Sequence, residues 1–281
     1  MRISYNMPAL TMHLLQNQAL NRQSGNSLRI SSGYKVITAK DNPTALVQSE
    51  NIRMQISGLQ VASRNVQDGV SMLQTAEGGL QEITSMAQRI RQLSVQAGSG
   101  SVTDSDKQKI QGEIDQMIDG IDSIAKGTEF NGLKLLSQKN TLTMPVGANA
   151  GESVDIPQID LSNSGDSSIS SLYTIKSGGD NDILSGDIQD SLDTIDETIN
   201  TIISTRSQYG ALENRFESNY NNIQDLNEQM TSADSSIRDS DMGEEIMNYS
   251  KEDIIVQASN AMIAQANKLP QDILSILNNI K

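Results

Sequence analysis

A row of apolar residues at steps of three and four runs from residue 45 to residue 97. Its members are Ile52, Ile56, Leu59, Val66, Val70, Leu73, Ala76, Leu80, Ile83, Ala87, Ile90 and Leu93, interrupted by the small Ser63. Such spacing is typical of a long helix that lies along partner helices. No proline falls inside it, but Gly58, Gly69, Gly78 and Gly79 each cost about 1 kcal/mol relative to alanine. We predict one long helix that packing stabilises.

Two further stripes predict the partners of this helix. Residues 104–126 form a helix with its amino end at Thr103 or Asp104 and Gly127 at its other end. Residues 182–236 repeat the long pattern, and we expect this segment to pack antiparallel to 45–97 with the shorter helix as third member. The polar face of the shorter helix is interpreted as solvated; it carries Lys107, Lys109, Glu113, Asp115, Asp119 and Asp122.

The segment between these helices, residues 128–181, is the least periodic part of the chain. It begins with TEFNGLKLL, which we interpret as a turn with a short apolar segment. Residues 141–161 then alternate around two glycine turns, which predicts a small β-hairpin. Ser, Gly and Asp dominate the rest, as in loops. We expect this part to be the most exposed.

The two chain ends differ from the middle in charge and in pattern. Residues 1–40 contain five basic and no acidic residues, whereas 237–281 contain four basic and seven acidic ones. Residues 41–44 (DNPT) form a joint in which Asp41 or Asn42 caps the next helix. The helix predicted over 242–268 is apolar on more than one side and therefore needs more than one neighbour.

Chain ends of this kind indicate contacts with other subunits, and we expect them to be disordered in the monomer. The candidate subunit-packing residues are Ile3, Met7, Leu10, Leu14, Met242, Ile246, Ile255, Met262, Ile263, Leu274 and Leu277.

The fold class that follows is mainly α, with long antiparallel helical rods in a coiled-coil-like bundle and a small β-hairpin region. The chain folds back so that both termini pair. We predict one domain from 1–43 with 237–281, an inner terminal coiled coil, and a second from 44–236, a helical rod domain that includes the hairpin and loop region 137–181.

Composition excludes several classes of protein. The 281 residues include no cysteine, so disulfides and thiolate sites are absent. A net charge of −14 argues against nucleic acid as a partner, and no apolar run is long enough to span a membrane. The start of the chain lacks an ordinary secretory signal, although an acid-poor, Ser-rich amphipathic segment is also compatible with a mitochondrial transit peptide.

Catalytic and metal-binding patterns are missing from the sequence. His13 is the one histidine, and without cysteines it makes no recognisable metal site. The acids of 180–187 miss the EF-hand spacing, because the glycine comes too late and no terminal Glu follows. Phosphate-binding loops and nucleophile elbows are absent. We therefore expect no enzyme activity, no catalytic residue, no bound metal and no cofactor.

Several long motifs, in the same order at both ends, resemble bacterial flagellin. They are the segments 28–83, AQRIRQLSVQAGSG at 87–100, TEFNGLKLL at 128–136, VGANAG at 146–151, SSIRDSDM at 235–242 and ASNAMIAQANKLPQDILSIL at 258–277. The similarity covers about 1–136 and 190–281. Because 137–181 is short, the chain resembles a flagellin without large outer domains. The hook–filament junction protein shares the terminal architecture and stays open as an alternative.

The resemblance implies a structural subunit that self-assembles into the flagellar filament for motility, with the chain ends lining the inner channel. It implies export through the flagellar type III apparatus to an extracellular location. The partners it implies are further copies of the chain, the flagellar cap, hook-associated junction proteins and an export chaperone on the carboxyl-terminal helix.

A receptor site is also implied by the resemblance. Flagellins that activate the vertebrate Toll-like flagellin receptor carry a QRxRELxVQ motif and a nearby Glu. The matching residues here are Gln88, Arg89, Arg91, Leu93 and Glu113, while Gln92 stands where the motif has Glu. Ile90 and Leu93 also belong to the apolar stripe. A molecule that acts mainly as receptor ligand or adhesin is the second functional hypothesis, and a chemoreceptor-type signalling rod is the third.

Overall fold

The computed structural model describes residues 6–163, 169–179, 182–184 and 188–279; the side chains of 269, 273, 274 and 276–279 are outside the description. The elements, in chain order, are α1 (Met7–Ser32), α2 (Pro43–Ala97), α3 (Asp104–Gly127), β1 (Glu129–Phe130), β2 (Leu133–Lys134), β3 (Thr141–Pro145), β4 (Ser153–Pro157), α4 (Ser170–Tyr173), α5 (Ile188–Arg238) and α6 (Met242–Asn279). The mainly α prediction with a small β region is confirmed.

The helix starts follow the polar residues that the sequence places there. The Asn42 side chain accepts a hydrogen bond from the Ala45 amide at 3.1 Å, so Asn42 caps α2, with Pro43 in its first turn. Thr103 caps α3 in the same way. Helix α6 runs past the predicted end at residue 268, because Pro270 lies inside the helix and does not end it.

The chain divides into two compact units. The first, called the terminal unit, contains Met1–Met54 and Gln229–Lys281; the second, called the rod unit, contains Gln55–Glu228. In the terminal unit α1 pairs with α6. The rod unit holds most of α2 and α5, together with α3, α4 and the four strands.

Within the rod unit α2 and α5 are antiparallel, as the sequence predicts. Gln74 donates to Glu213 at 2.7 Å, and Arg91 donates to Asp196 at 2.6 Å, so contacts that advance along α2 move backwards along α5. The apolar stripe of α2 is the core. Its fully buried members include Leu73, Leu80, Ile83 and Ile90, and they are joined by residues of α3 and α5 such as Ile114, Ile118, Ile121, Ile195, Ile202 and Phe216.

Both short sheets are antiparallel hairpins. Strands β3 and β4 pair with Thr141 opposite Pro157 and Met144 opposite Val154, which confirms the hairpin predicted over 141–161. Strands β1 and β2 form a second hairpin where the sequence indicated a turn. Asn131 and Gly132 both have positive φ, 50° and 79°, as a tight hairpin turn requires.

Glycines of α2 stand where loops and side chains approach the helix closely. A Cβ added at Gly58 would lie 3.0 Å from the Ala148 Cβ, and one at Gly79 would lie 2.7 Å from the Thr128 Oγ1. A side chain at either position would therefore force its neighbours to shift. This close approach offsets the cost of glycine to the helix.

The expectation that 128–181 is the most exposed part of the chain is wrong for much of the described segment. Strand β4 and the following residues bury Val154, Ile156, Leu161, Ile169, Leu172 and Ile175. Gln111 of α3 donates to the Ile175 carbonyl at 2.8 Å, and its own side-chain carbonyl accepts from the Ile183 amide. The buried side-chain amide of Gln111 therefore holds this loop segment against α3.

The solvated polar face predicted for α3 is likewise only partly correct. Asp115 accepts from the Ser177 amide at 3.0 Å, Asp119 from Lys176 at 2.6 Å and Asp122 from the Asn163 amide at 2.8 Å. Carboxylates at a spacing of three and four residues thus bind the loop segment along one side of the helix. The sequence pattern could not distinguish this arrangement from a face in water.

Candidate assembly interface

The seam between α1 and α6 is built from small and polar residues. On α6 the buried positions recur every seven residues: Glu245, Glu252, Ser259 and Ala266. On α1 the buried residues are Ala9 and Ala19. A seven-residue repeat is the signature of a coiled coil, but here the repeat lacks the usual large apolar residues. The buried positions of this seam are therefore small or polar.

Polar contacts run along this seam in antiparallel order. Gln16 donates to Asn260 at 2.6 Å, and farther along Arg29 donates to Glu245 at 3.4 Å. Between them Arg22 binds both carboxylate oxygens of Glu252, at 2.9 and 3.0 Å. The hydrogen bonds from Arg22 hold the pKa of the Glu252 carboxyl below its usual range. The chain ends therefore pair through a ladder of polar contacts.

The structure has α1 and α6 as two paired helices, with small and polar residues at the buried positions of the seam. The disorder of the chain ends in the free monomer stays a prediction.

Many large apolar side chains of α1 and α6 are exposed outside the seam. On α1 Met7, Leu10 and Leu14 lie at steps of three and four, and Met7 and Leu14 are 63% and 56% exposed. We call these two surfaces the outer faces; they comprise Met7, Leu10, Leu14, Leu15, Leu20 and Leu28 on α1 and Met242, Ile246, Met247, Ile254 and Met262 on α6. Clustered exposed apolar side chains are typical of surfaces that contact another molecule.

Within the terminal unit, the residues that follow α1 contact the residues at the end of α5. Helix α1 ends at Gly33, which has φ 77°, and the Ser240 amide donates to its carbonyl at 2.9 Å. The Arg238 guanidinium lies 4.8 Å from the centre of the Tyr34 ring and donates to Glu50 at 3.2 Å. The sequence placed a joint at 41–44 but gave no sign of this pair. An Arg and a Tyr two hundred residues apart carry no periodic signal.

A second exposed patch lies on the rod unit, where α2 meets α3 and α5. Arg89 of α2 donates to Glu113 of α3 at 2.9 Å. Arg91 binds both carboxylate oxygens of Asp196 on α5, and the hydrogen bonds lower the pKa of that carboxyl. The two ion pairs hold the guanidinium groups of α2 against carboxylates of α3 and α5.

Comparison with known proteins identifies the family. The family model described as the bacterial flagellin N-terminal helical region matches residues 3–141, and the model of the C-terminal helical region matches 192–277. The chain belongs to the bacterial flagellin family. It is similar to the flagellin of Bacillus subtilis (strain 168), with 39% identity over an alignment of 305 positions that covers 99% of this chain and 100% of the relative.

Two other full-length relatives agree with this result. The flagellin of Halalkalibacterium halodurans is 37% identical, as is the flagellar filament 33 kDa core protein of Treponema phagedenis. Each alignment covers 99% of this chain and 100% of the relative. The predicted resemblance to a short flagellin is therefore confirmed, and the junction-protein alternative is not favoured. As a member of this structural family, the chain is a self-assembling subunit of the flagellar filament, outside the cell.

The predicted subunit-packing residues of this flagellin divide into three groups. Exposed on the outer faces are Met7, Leu10, Leu14, Met242, Ile246 and Met262. Ile255 and Ile263 are half-buried beside the seam. Ile3 lies outside the described residues, as do the side chains of Leu274 and Leu277. The sequence missed the seam itself, whose signal is the seven-residue spacing of Glu, Glu, Ser and Ala on α6.

The residues that match the receptor motif also divide. Gln88, Arg89, Arg91 and Glu113 have exposed side chains, whereas Leu93 is 2% exposed and belongs to the core of the rod unit. A substitution of Leu93 would act on packing and is unsuitable as a probe of surface contact.

Three remaining features are metal sites, membrane-spanning helices and the histidine His13. The described residues contain no group of three or more His, Cys, Asp and Glu side chains that could hold a metal ion. None of the helices, over the residues described, is long and apolar enough to cross a membrane. His13 lies exposed on α1.

Proposed function

We propose that this flagellin polymerises by burying the outer faces of α1 and α6 against neighbouring copies. The observation that carries the proposal is that the intrachain seam uses small and polar residues, while the large apolar residues of the outer faces stay exposed. Burying such side chains stabilises by about 1.5–3 kcal/mol each. A contact that joins one surface to a different surface on the next copy continues without closing and builds a fibre.

The proposed arrangement places 1–43 with 237–281 at the inside of the filament as a terminal coiled coil. Residues 44–236, with the hairpin region 137–181, form the shell around it. In this arrangement the apolar outer faces are removed from water by other terminal units, and the charged residues of the rod unit stay outside.

The test uses two lysine substitutions on neighbouring residues of α1. Leu14→Lys puts a charge into the outer face, and we expect it to abolish polymerisation seeded with filament fragments while leaving helix content unchanged. His13→Lys adds the same charge at an exposed position that is already polar, and polymerisation should persist. Electron microscopy and sedimentation measure the outcome. Normal filaments from Leu14→Lys would contradict the proposal.

The outer face of α6 also supports a role for a chaperone before export through the flagellar type III apparatus. An amphipathic helix with exposed Met and Ile side chains fits an apolar groove. We expect Ile254→Lys to weaken chaperone binding at least tenfold by calorimetry, roughly the effect of 1.4 kcal/mol. Gln257→Lys, on the same helix, is the control. The cap and hook-associated junction proteins are further proposed partners, which would cover outer faces left free at the ends of the filament.

A second proposed function is recognition by the vertebrate Toll-like flagellin receptor. The supporting observation is that Arg89 and Glu113, two residues of the matched motif, form one exposed ion pair at 2.9 Å. We expect Arg89→Ala to reduce receptor signalling, and Arg64→Ala, an exposed arginine elsewhere on α2, to leave it unchanged. Equal signalling from wild type and Arg89→Ala would reject this site.

A further inference from the structure

The exposed methionines that the structure describes all lie in the terminal unit, which also holds the half-buried Met12 and Met230. The five exposed methionines of the described residues are Met7, Met54, Met242, Met247 and Met262, and all five belong to the terminal unit. In the rod unit Met72 is 3% exposed, and the others, Met86, Met117 and Met144, are half-buried.

Exposed thioethers are the most oxidisable side chains that this sequence offers. There is no cysteine to react first. Hydrogen peroxide transfers one oxygen atom to the sulfur: the S–O bond forms, the O–O bond breaks, and water leaves. The sulfur loses two electrons and the peroxide gains them. The product, methionine sulfoxide, is polar, and methionine sulfoxide reductases reverse the step.

We propose that Met7, Met242, Met247 and Met262 are a peroxide-reactive modification site whose oxidation blocks assembly of the monomer. The inference rests on the proposed function, because these four side chains belong to the outer faces that assembly would bury. A sulfoxide there places a strong hydrogen-bond acceptor on a surface that must become dry, and a buried acceptor without a donor is costly. Met54 is 69% exposed but lies on α2, outside the outer faces, so we expect its oxidation to leave assembly intact.

The first measurement is an oxidation map of the full-length monomer. Dilute hydrogen peroxide is added, and peptide mass spectrometry follows sulfoxide at each methionine with time. We expect the five exposed methionines to oxidise at least about tenfold faster than Met72, because susceptibility follows solvent access. Equal rates at all positions would overturn the selectivity on which the site rests.

The second measurement is seeded polymerisation of the same samples. Oxidised wild type should lose polymerisation. It should regain polymerisation after treatment with two methionine sulfoxide reductases, one for each epimer of the sulfoxide. The four-leucine variant, which combines Met7→Leu, Met242→Leu, Met247→Leu and Met262→Leu, keeps apolar volume, and it should polymerise equally with and without peroxide. Met54→Leu, which removes the exposed methionine of α2, should remain as sensitive as wild type.

The outcomes separate this inference from the proposed function. If oxidised wild type polymerises normally, or if the four-leucine variant is still inactivated by peroxide, the modification site is wrong although the filament role stands. If untreated wild type fails to polymerise with seeds, the proposed function and the assembly effect both fall. The oxidation map still decides whether the exposed set is selectively reactive.

Discussion

The rod unit and the terminal unit use helices of similar amphipathic pattern in opposite ways. In the rod unit the apolar stripe of α2 is turned inwards, and Leu80, Ile83 and Ile90 are completely buried. In the terminal unit the apolar stripes of α1 and α6 are turned outwards, and the helices meet through Glu252, Ser259 and similar residues. The rod unit buries its apolar stripe within the chain, whereas the terminal unit leaves large apolar side chains exposed.

This contrast separates two properties that a single pattern of residues cannot distinguish. A stripe at steps of three and four indicates that a helix has an apolar face, but it does not indicate whether the same chain or another molecule covers that face. The stripe of α2 is covered within the chain by α3 and α5. Substitutions in the two units should therefore affect different measurements.

The largest expected effect comes from truncating a buried leucine of the rod unit. Leu80→Ala should lower the free energy of unfolding by about 2–5 kcal/mol, because the buried side chain leaves a cavity. Denaturant unfolding of the monomer, followed by circular dichroism, measures the change. Leu14→Ala, of the same chemistry on the outer face, should change it by less than about 0.5 kcal/mol.

For polymerisation, we expect Leu14→Ala to have a larger effect than Leu80→Ala. Leu14→Ala removes surface that neighbouring copies are proposed to bury, so its critical concentration for assembly should rise. If Leu14→Ala destabilised the monomer as strongly as Leu80→Ala, the comparison between the units would fail.

Two adjacent glycines of α2 offer the next largest effect. Gly79→Ala would put a methyl group 2.7 Å from the Thr128 Oγ1 and 3.0 Å from the Leu136 Cδ1, whereas a methyl at Gly78 meets nothing within 4 Å. Overpacking costs about 1–3 kcal/mol, and replacing a helical glycine gains about 1 kcal/mol. Thermal unfolding should therefore show Gly78→Ala stabilised and Gly79→Ala destabilised. Equal shifts in the same direction would refute the close approach.

A smaller effect is expected from pH on the polar seam. Arg22 lowers the pKa of Glu252, so this pair stabilises the folded chain above the usual glutamate pKa of about 4.3, and the stabilisation is lost as pH falls through the lowered value. Amide protection factors in α1 and α6 should decrease in acid. Glu252→Gln should show a smaller decrease, because it removes the carboxyl whose pKa the pair lowers. An identical pH dependence in this variant would exclude the role of Glu252.

The sequence predicted the helices well because their stripes are long. The α2 prediction of 45–97 differs from the structure by two residues at the start, and Asn42 and Thr103 are caps as expected. Hairpin β3–β4 was also predicted, since alternation between glycine turns is typical of paired antiparallel strands. Local patterns of this kind fix elements and their ends.

Pairing between distant segments was harder to predict. The polar face of α3 looks solvated in the sequence, but Asp115, Asp119 and Asp122 bind loop residues forty or more positions away. The seam residues of α6 were overlooked because the large apolar residues beside them give the stronger signal. Leu93 matched a receptor motif and an apolar stripe at once, and burial places it in the core.

The smallest expected effect concerns the exposed pair of Arg91 and Asp196. Both side chains are almost half exposed, at 48% and 44%, so water and salt screen their attraction despite the two short hydrogen bonds. Asp196→Asn should therefore change the unfolding midpoint far less than Leu80→Ala, and the small change should vanish at high salt because screening removes the charge interaction. Unfolding at low and high salt, with Asp190→Asn in the first turn of α5 as control, measures the difference. A salt-independent loss as large as that of Leu80→Ala would mean that the rod unit depends on its surface ion pairs as well as on its apolar core.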